Sequence, residues 1–235
     1  MVVSDARRQA YLAAMGLTAW RRRDGETTEQ AEAVSAPEAD AAPVSNEPLG
    51  ADWETLIQQV ESCRRCPLHE SRTQGVFGVG NREAELLVIG EAPGAEEDRR
   101  GEPFVGRAGQ LLDAMLAAIG HSRKTVYIAN IIKSRPPGNR DPVAEEIEAC
   151  LPYLRRQIEL IRPRLILLVG RVSAQTLLGS NAPVGRLRSQ LHRLPGFAIP
   201  AVVTYHPAYL LRSPLEKRKA WADLRLARRT LEAGQ

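Results

Sequence analysis

The sequence predicts an α/β fold in which a parallel sheet carries helices on both faces. Three observations predict it. Short apolar runs at Glu85–Ile89, Thr125–Ile131, Arg164–Val169 and Ala201–Thr204 read as strands. Segments of helical spacing, Arg107–Ile119, Ala144–Ile161 and Val172–Leu178, alternate with them. The third run contains LILLV, apolar at every position, as a strand covered on both faces must be.

Each element follows from its residues. Asp52 is placed to cap a helix that reaches Ser62. The first strand, ELLVI, ends in a turn carrying Pro93, Gly94 and the acids Glu91, Glu96, Glu97 and Asp98. Phe104 follows in a second loop, and a helix begins at Arg107. The second strand runs to Asn130 and a Pro- and Gly-rich loop, SRPPGNRDP, from Ser134 to Pro142. The third ends in Gly170-Arg171 and the fourth in Tyr205-His206-Pro207. Leu215–Leu231 reads as a basic closing helix, and no internal repeat is present.

Open α/β sheets bind ligands outside the carboxyl ends of their strands. Two carboxylates, an amide, an aromatic ring and an imidazole are therefore expected on one rim. Taken singly, each has a plainer explanation. The acidic turn suits a solvated loop, Asn130 a turn, His206 a helix cap and Phe104 ordinary packing. Their joint placement at strand ends favours a site.

Composition narrows the setting. Apolar residues make up 43% of 235, enough for an ordinary core. No apolar run approaches the roughly 18 residues needed to span a membrane. The three cysteines, Cys63, Cys66 and Cys150, include a C-x-x-C pair. An odd count with that pair argues against a disulfide framework and for a reducing compartment, the cytoplasm, with a metal or redox role.

Charge divides the chain. Residues 1–23 hold five Arg and one Asp, and residues 24–50 hold seven acids and no Lys or Arg, so residues 51–235 carry +7 within a total of +4. A basic globular body suits a polyanionic ligand. Residues 24–50 read as a disordered acidic linker. Residues 1–23 read as a short amphipathic segment. Arg7-Arg8 does not make an export signal, because the following run is short and lacks a small-residue cleavage site. Gln9, Leu12 and Met15 loosely resemble a sliding-clamp-binding peptide, which makes a replication protein a candidate partner.

Five motifs together are similar to a known family. They are Gly90-Glu91-Ala92-Pro93-Gly94 with Glu97-Asp98, Gly101-Glu102-Pro103-Phe104-Val105-Gly106, Ile128-Ala129-Asn130, Arg135-Pro136-Pro137-Gly138-Asn139-Arg140 and His206-Pro207-Ala208. In this order they resemble the family 4 uracil-DNA glycosylases, the iron–sulfur type, from Trp53 through the closing helix. The resemblance implies a three-layer α/β/α sandwich with a central four-stranded parallel sheet, spanning residues 51–235 and acting as a monomer. It implies a hydrolase that flips deoxyuridine out of single- or double-stranded DNA and cuts its N-glycosidic bond, starting base excision repair. Alternative readings are a catalytically weak uracil-DNA-binding protein and a polymerase-associated module. A related branch captures the abasic sugar through a histidine in an inserted basic loop, and Lys133–Arg140 contains no such insert.

The resemblance also implies roles. Phe104 would stack on the flipped base and Asn130 would read it, with Ala92 beside them in the substrate site. His206 would donate to uracil O2. Glu91 and Glu97 would orient water and stabilise the sugar cation, in an order the sequence leaves open. Arg135, Asn139, Arg140 and Arg212 would face DNA, Leu210 or Leu211 would wedge into the gap, and the loop Gly75–Asn81 would share that rim. A structural 4Fe–4S cluster would be held by Cys63, Cys66 and Cys150. The family's remaining cysteine position is Ser134 here. An alkoxide ligand, a solvent-filled or three-iron site, zinc, and no metal at all remain open.

Overall fold

A computed structural model describes residues 52–233 of the chain. The segments 1–23 and 24–50 lie outside the described residues, as does any statement about their docking.

Helix α1, Trp53–Glu61, starts where Asp52 accepts from the Thr55 N–H at 2.8 Å and from its hydroxyl at 3.1 Å. The turn holding Cys63 and Cys66 leads to the one-turn helix α2, Leu68–Ser71, and a two-residue strand β1, Val79–Gly80. Next come β2, Leu86–Gly90; α3, Ala95–Arg100; α4, Arg107–Ala117; and β3, Tyr127–Asn130. A 3₁₀ turn at Pro137–Asn139 precedes α5, Ala144–Ile161, and β4, Leu165–Val169. They are followed by α6, Arg171–Leu178; α7, Val184–Leu187; β5, Leu191–Arg193; and β6, Pro200–Thr204. The short α8, Pro207–Arg212, a 3₁₀ turn at Pro214–Glu216 and α9, Lys217–Ala233, close the described residues.

The sheet order is β1-β3-β2-β4-β6-β5. Its centre is the expected set of four parallel strands, with Gly90 opposite Asn130 and Val169 opposite Thr204. Short antiparallel strands add an edge on each side, making six strands rather than four. The first corrects the expected Gly-rich rim loop: Val79 pairs with Ile128 and Gly80 with Tyr127. A Cβ at Gly80 would lie 2.1 Å from the Val126 carbonyl oxygen, so this pairing requires glycine.

Alternate residues of the central strands feed two cores. Leu87, Ile89, Ile166 and Leu168 pack with Leu56 and Val60 of α1 and Leu154 and Ile158 of α5. Leu86, Val88, Leu165 and Leu167 pack with Leu112 and Leu116 of α4 and Leu224 and Ala227 of α9. This two-sided cover explains why β2 and β4 contain no polar position, and it makes the three-layer sandwich. Its carboxyl edge is fixed by buried Asp223, which accepts from Arg188 at 2.9 Å and from Thr204 at 3.0 Å.

Candidate active site

A cleft of about 810 Å³ opens over the carboxyl ends of the parallel strands. Its walls bring together Glu91, Ala92, Glu97, Phe104, Asn130 and His206, with Asn139, Arg140 and Arg212 nearer the rim. All six groups expected around the base and sugar therefore share one space.

The wall formed by Asn130 and Phe104 is built over Gly90. A Cβ there would meet Asn130 Oδ1 at 2.5 Å and Phe104 Cζ at 2.5 Å, so the missing side chain keeps the amide and the ring together. Asn130 is 2% exposed, and its Oδ1 has no hydrogen-bond partner. An unmet buried acceptor costs about 1–3 kcal/mol. Its backbone is held by Lys133, whose buried Nζ donates to the Asn130 carbonyl at 3.0 Å and to Gln157 at 2.6 Å. Burial pushes the Lys133 ammonium down to about 8.

Phe104 is held against a backbone preference. Its φ of +56° lies in the left-handed region that non-glycine residues avoid. The Arg123 guanidinium donates to the Pro103 carbonyl at 3.1 Å and also to that of Phe104. Gly109 of α4 lies under the same carbonyl, where a Cβ would approach within 1.7 Å. Glu97 completes the clamp. Its Oε1 accepts from Val105 N at 2.9 Å and Gly106 N at 3.2 Å, and its Oε2 accepts from Gly94 N at 3.1 Å. Both Glu97 oxygens thus join the acidic turn to the Phe104 loop.

His206 stacks on Phe104 with centroids 5.5 Å apart and planes 30° apart. Its Nδ1 accepts from Ala208 N at 3.1 Å as the cap of α8, which leaves the neutral ring's proton on Nε2. Burial, with Arg212 adding to it and Glu97 opposing, pushes the imidazole down to about 4. The ring is therefore a neutral donor at ordinary pH.

Glu91 has a partner that motif reading missed. It lines the cleft with Asp141, whose charge acts on it, and Asp141 pairs in turn with Arg171. Burial and the Asp141 charge push Glu91 up to about 7, with Arg171 opposing. Asp141 stands in SRPPGNRDP and Arg171 starts α6, so only the fold brings them to the first strand's end.

The rim departs from expectation at several points. Leu210 is 1% exposed and packs in the core with α4 and α9, so it is not available as a wedge. Its neighbour Leu211 is 36% exposed. Arg140 lines the cleft, but its guanidinium forks onto buried Glu146 at 2.6 and 2.9 Å. Arg135 lies outside the cleft lining and donates to Asn139 Oδ1 at 2.7 Å. Asn139 itself has φ +56° after Gly138 at +64°, a tight turn at the rim.

Comparison with known proteins agrees with this geometry. Residues 77–225 match the family model of the uracil DNA glycosylase superfamily. The chain belongs to the uracil-DNA glycosylase superfamily. It is 43% identical to the type-4 uracil-DNA glycosylase of Archaeoglobus fulgidus, over 72% of this chain and 88% of that protein. It is 42% identical to that of Pyrobaculum aerophilum, over 74% and 91%, and 41% identical to that of Saccharolobus solfataricus, over 76% and 86%.

This member of the superfamily also has a second, much smaller cavity. Cys63, Cys66, Cys150 and Ser134 line it together with Arg65, Arg72 and Lys133, and no acid does. Arg65 Nε is buried there without a hydrogen-bond partner. Burial pushes the Cys150 thiol up to about 12. Three thiols under a positively charged lining fit an anionic iron–sulfur cluster. Among the described residues no group of three or more His, Cys, Asp or Glu forms a ready-made metal site.

Proposed function

We propose that this chain is a uracil-DNA glycosylase that turns deoxyuridine out of DNA into the cleft and hydrolyses its N-glycosidic bond. The observation that carries the reading is the partnerless Asn130 Oδ1 beside the Phe104 ring. Uracil offers an N3–H donor to that oxygen and an O4 acceptor to the amide NH₂. Cytosine reverses both, which leaves each buried group unpaired at about 1–3 kcal/mol apiece. Phe104 supplies the stacking face that a flipped base requires.

In the reaction the bond between uracil N1 and the sugar C1′ breaks, and its electron pair leaves with the base. His206 Nε2–H donates to O2 as the charge builds there. A donor aimed at developing charge is worth roughly 3–4 kcal/mol. Water attacks C1′, and ionised Glu91 takes its proton, a task suited to a group that titrates near the working pH. Glu97 acts by position, since both its oxygens hold the loops that present Phe104. Arg212, Asn139 and backbone N–H groups at the rim contact phosphates, and Leu211 enters the space left by the flipped nucleotide.

Cys63, Cys66 and Cys150 would hold a 4Fe–4S cluster, whose contribution is structural. Lys133 connects it to the base pocket, because its N–H donates to Cys150 Sγ at 3.1 Å. Cysteines that form no disulfide fit a reducing compartment, the cytoplasm. Among the described residues no helix is long and apolar enough to cross a membrane.

The direct test uses single- and double-stranded oligonucleotides with one deoxyuridine, incubated with anaerobically purified protein. Release of uracil with a base-labile abasic site is expected from both. Absence of release from either substrate contradicts the proposal.

A further inference from the structure

Ser134 stands where the related glycosylases' pattern leads one to expect a thiol, and its surroundings are specific. It is 6% exposed, and its hydroxyl oxygen accepts from Arg72 Nη1 at 2.9 Å. Arg72 Nη2 donates to the Glu61 carbonyl at 2.7 Å and the Cys63 carbonyl at 3.1 Å. One guanidinium thus fixes the end of α1, the Cys63 turn and the Ser134 oxygen together. Arg65 Nε, unpartnered in the same cavity, offers another donor to a negatively charged occupant.

We propose that the cavity takes an iron–sulfur cluster with one distinct corner: three irons on the thiolates of Cys63, Cys66 and Cys150, and the fourth on the Ser134 oxygen supported by Arg72. This rests on the cluster assigned under the proposed function. A hard oxygen ligand matches iron in a sulfide cage poorly, so this iron is the exchangeable one. A one-electron oxidant then converts [4Fe–4S]²⁺ to [3Fe–4S]⁺, releasing one Fe²⁺ to solution and passing one electron to the oxidant. The three cysteines keep the remaining irons in place.

The full-length protein and Ser134→Cys are reconstituted anaerobically with ferrous iron and sulfide, then treated with one equivalent of ferricyanide. Wild type is expected to lose about one iron per cluster and to gain the paramagnetic resonance of a three-iron centre, while Ser134→Cys keeps its iron and stays silent. Equal iron retention and silence in both proteins overturn the distinct corner. If Ser134→Cys does not fold, Ser134→Ala serves, with faster iron loss than wild type expected and an unchanged rate overturning the proposal. Arg72→Gln, checked for native circular dichroism, is expected to speed the loss as well, and an unchanged rate removes Arg72 from the account. Failure of every protein to gain iron–sulfur absorption overturns the cluster itself. Uracil release, assayed on the same samples, tells that failure apart from failure of the glycosylase reading.

Discussion

In the pocket over Gly90 a buried acceptor, Asn130 Oδ1, has no partner, whereas in the cavity at Ser134 the acceptor is taken by Arg72 and a donor, Arg65 Nε, is left over. The sign of the unmet group states what each region awaits. An empty acceptor beside an aromatic ring suits a planar ligand with an N–H edge. An empty cationic donor among thiols suits an anion. The regions also differ in how they are held. The pocket is fixed by protein alone, through Glu97, Arg123 and Gly109 around Phe104. At the thiol cavity Arg72 ties the end of α1 and the Cys63 turn to Ser134. Lys133 touches both, with its N–H on Cys150 and its ammonium on the Asn130 carbonyl.

Mutations that separate the two regions test this contrast. The largest effect is expected at His206. His206→Ala should lower single-turnover uracil release by roughly 10²–10³-fold, with the iron–sulfur spectrum unchanged. Gly90→Ala comes next, because its methyl enters the space shared by Asn130 and Phe104. It should reduce release by at least about tenfold and stability by about 1–3 kcal/mol, the latter read by urea unfolding. Full activity in Gly90→Ala would break the account of the pocket.

Adjacent leucines give a smaller and sharper contrast. Leu210→Ala should cost about 2–5 kcal/mol of stability. Leu211→Ala should leave stability within about 0.5 kcal/mol and slow release from double-stranded DNA only. Single-stranded substrate needs no wedge, so equal slowing on both substrates would contradict the role given to Leu211.

The smallest effect concerns pH. Folded Glu91 keeps its proton up to about 7, whereas an unfolded glutamate loses it near its ordinary value of 4.5. The folded state therefore binds more protons between those values, and this group's contribution to stability falls as pH rises through that window. Glu91→Gln should be more thermostable than wild type at pH 8, with the advantage fading toward pH 4.5. Its residual activity should lose the rise through neutral pH that wild type shows.

Much of this was legible in the sequence, for physical reasons. The four central strands are apolar on both faces because helices cover both, so their runs stand out. Asn130 and His206 announce themselves by their place at strand ends, and Phe104 by the loop that opens α4. The edge strands were hidden because they are two or three residues long and half exposed, with Leu191 at 51%. The Asp141–Glu91 contact was hidden because it depends on where the SRPPGNRDP loop folds back. Glu97 carries the same charge whether it meets water or backbone N–H groups, so its clamping of the Phe104 loop is visible only in three dimensions. Leu210 and Leu211 are chemically identical neighbours on a six-residue helix, too short for periodicity to say which faces inward.

The central claim is that the Asn130 amide selects the base. Its most direct test is release of uracil and of cytosine from otherwise identical oligonucleotides by wild type and Asn130→Asp. Wild type should release uracil alone. Asn130→Asp replaces the NH₂ donor by a carboxyl oxygen that accepts from the cytosine amino group, so uracil release should fall and cytosine release should appear. Retention of the full wild-type preference by Asn130→Asp would contradict the account.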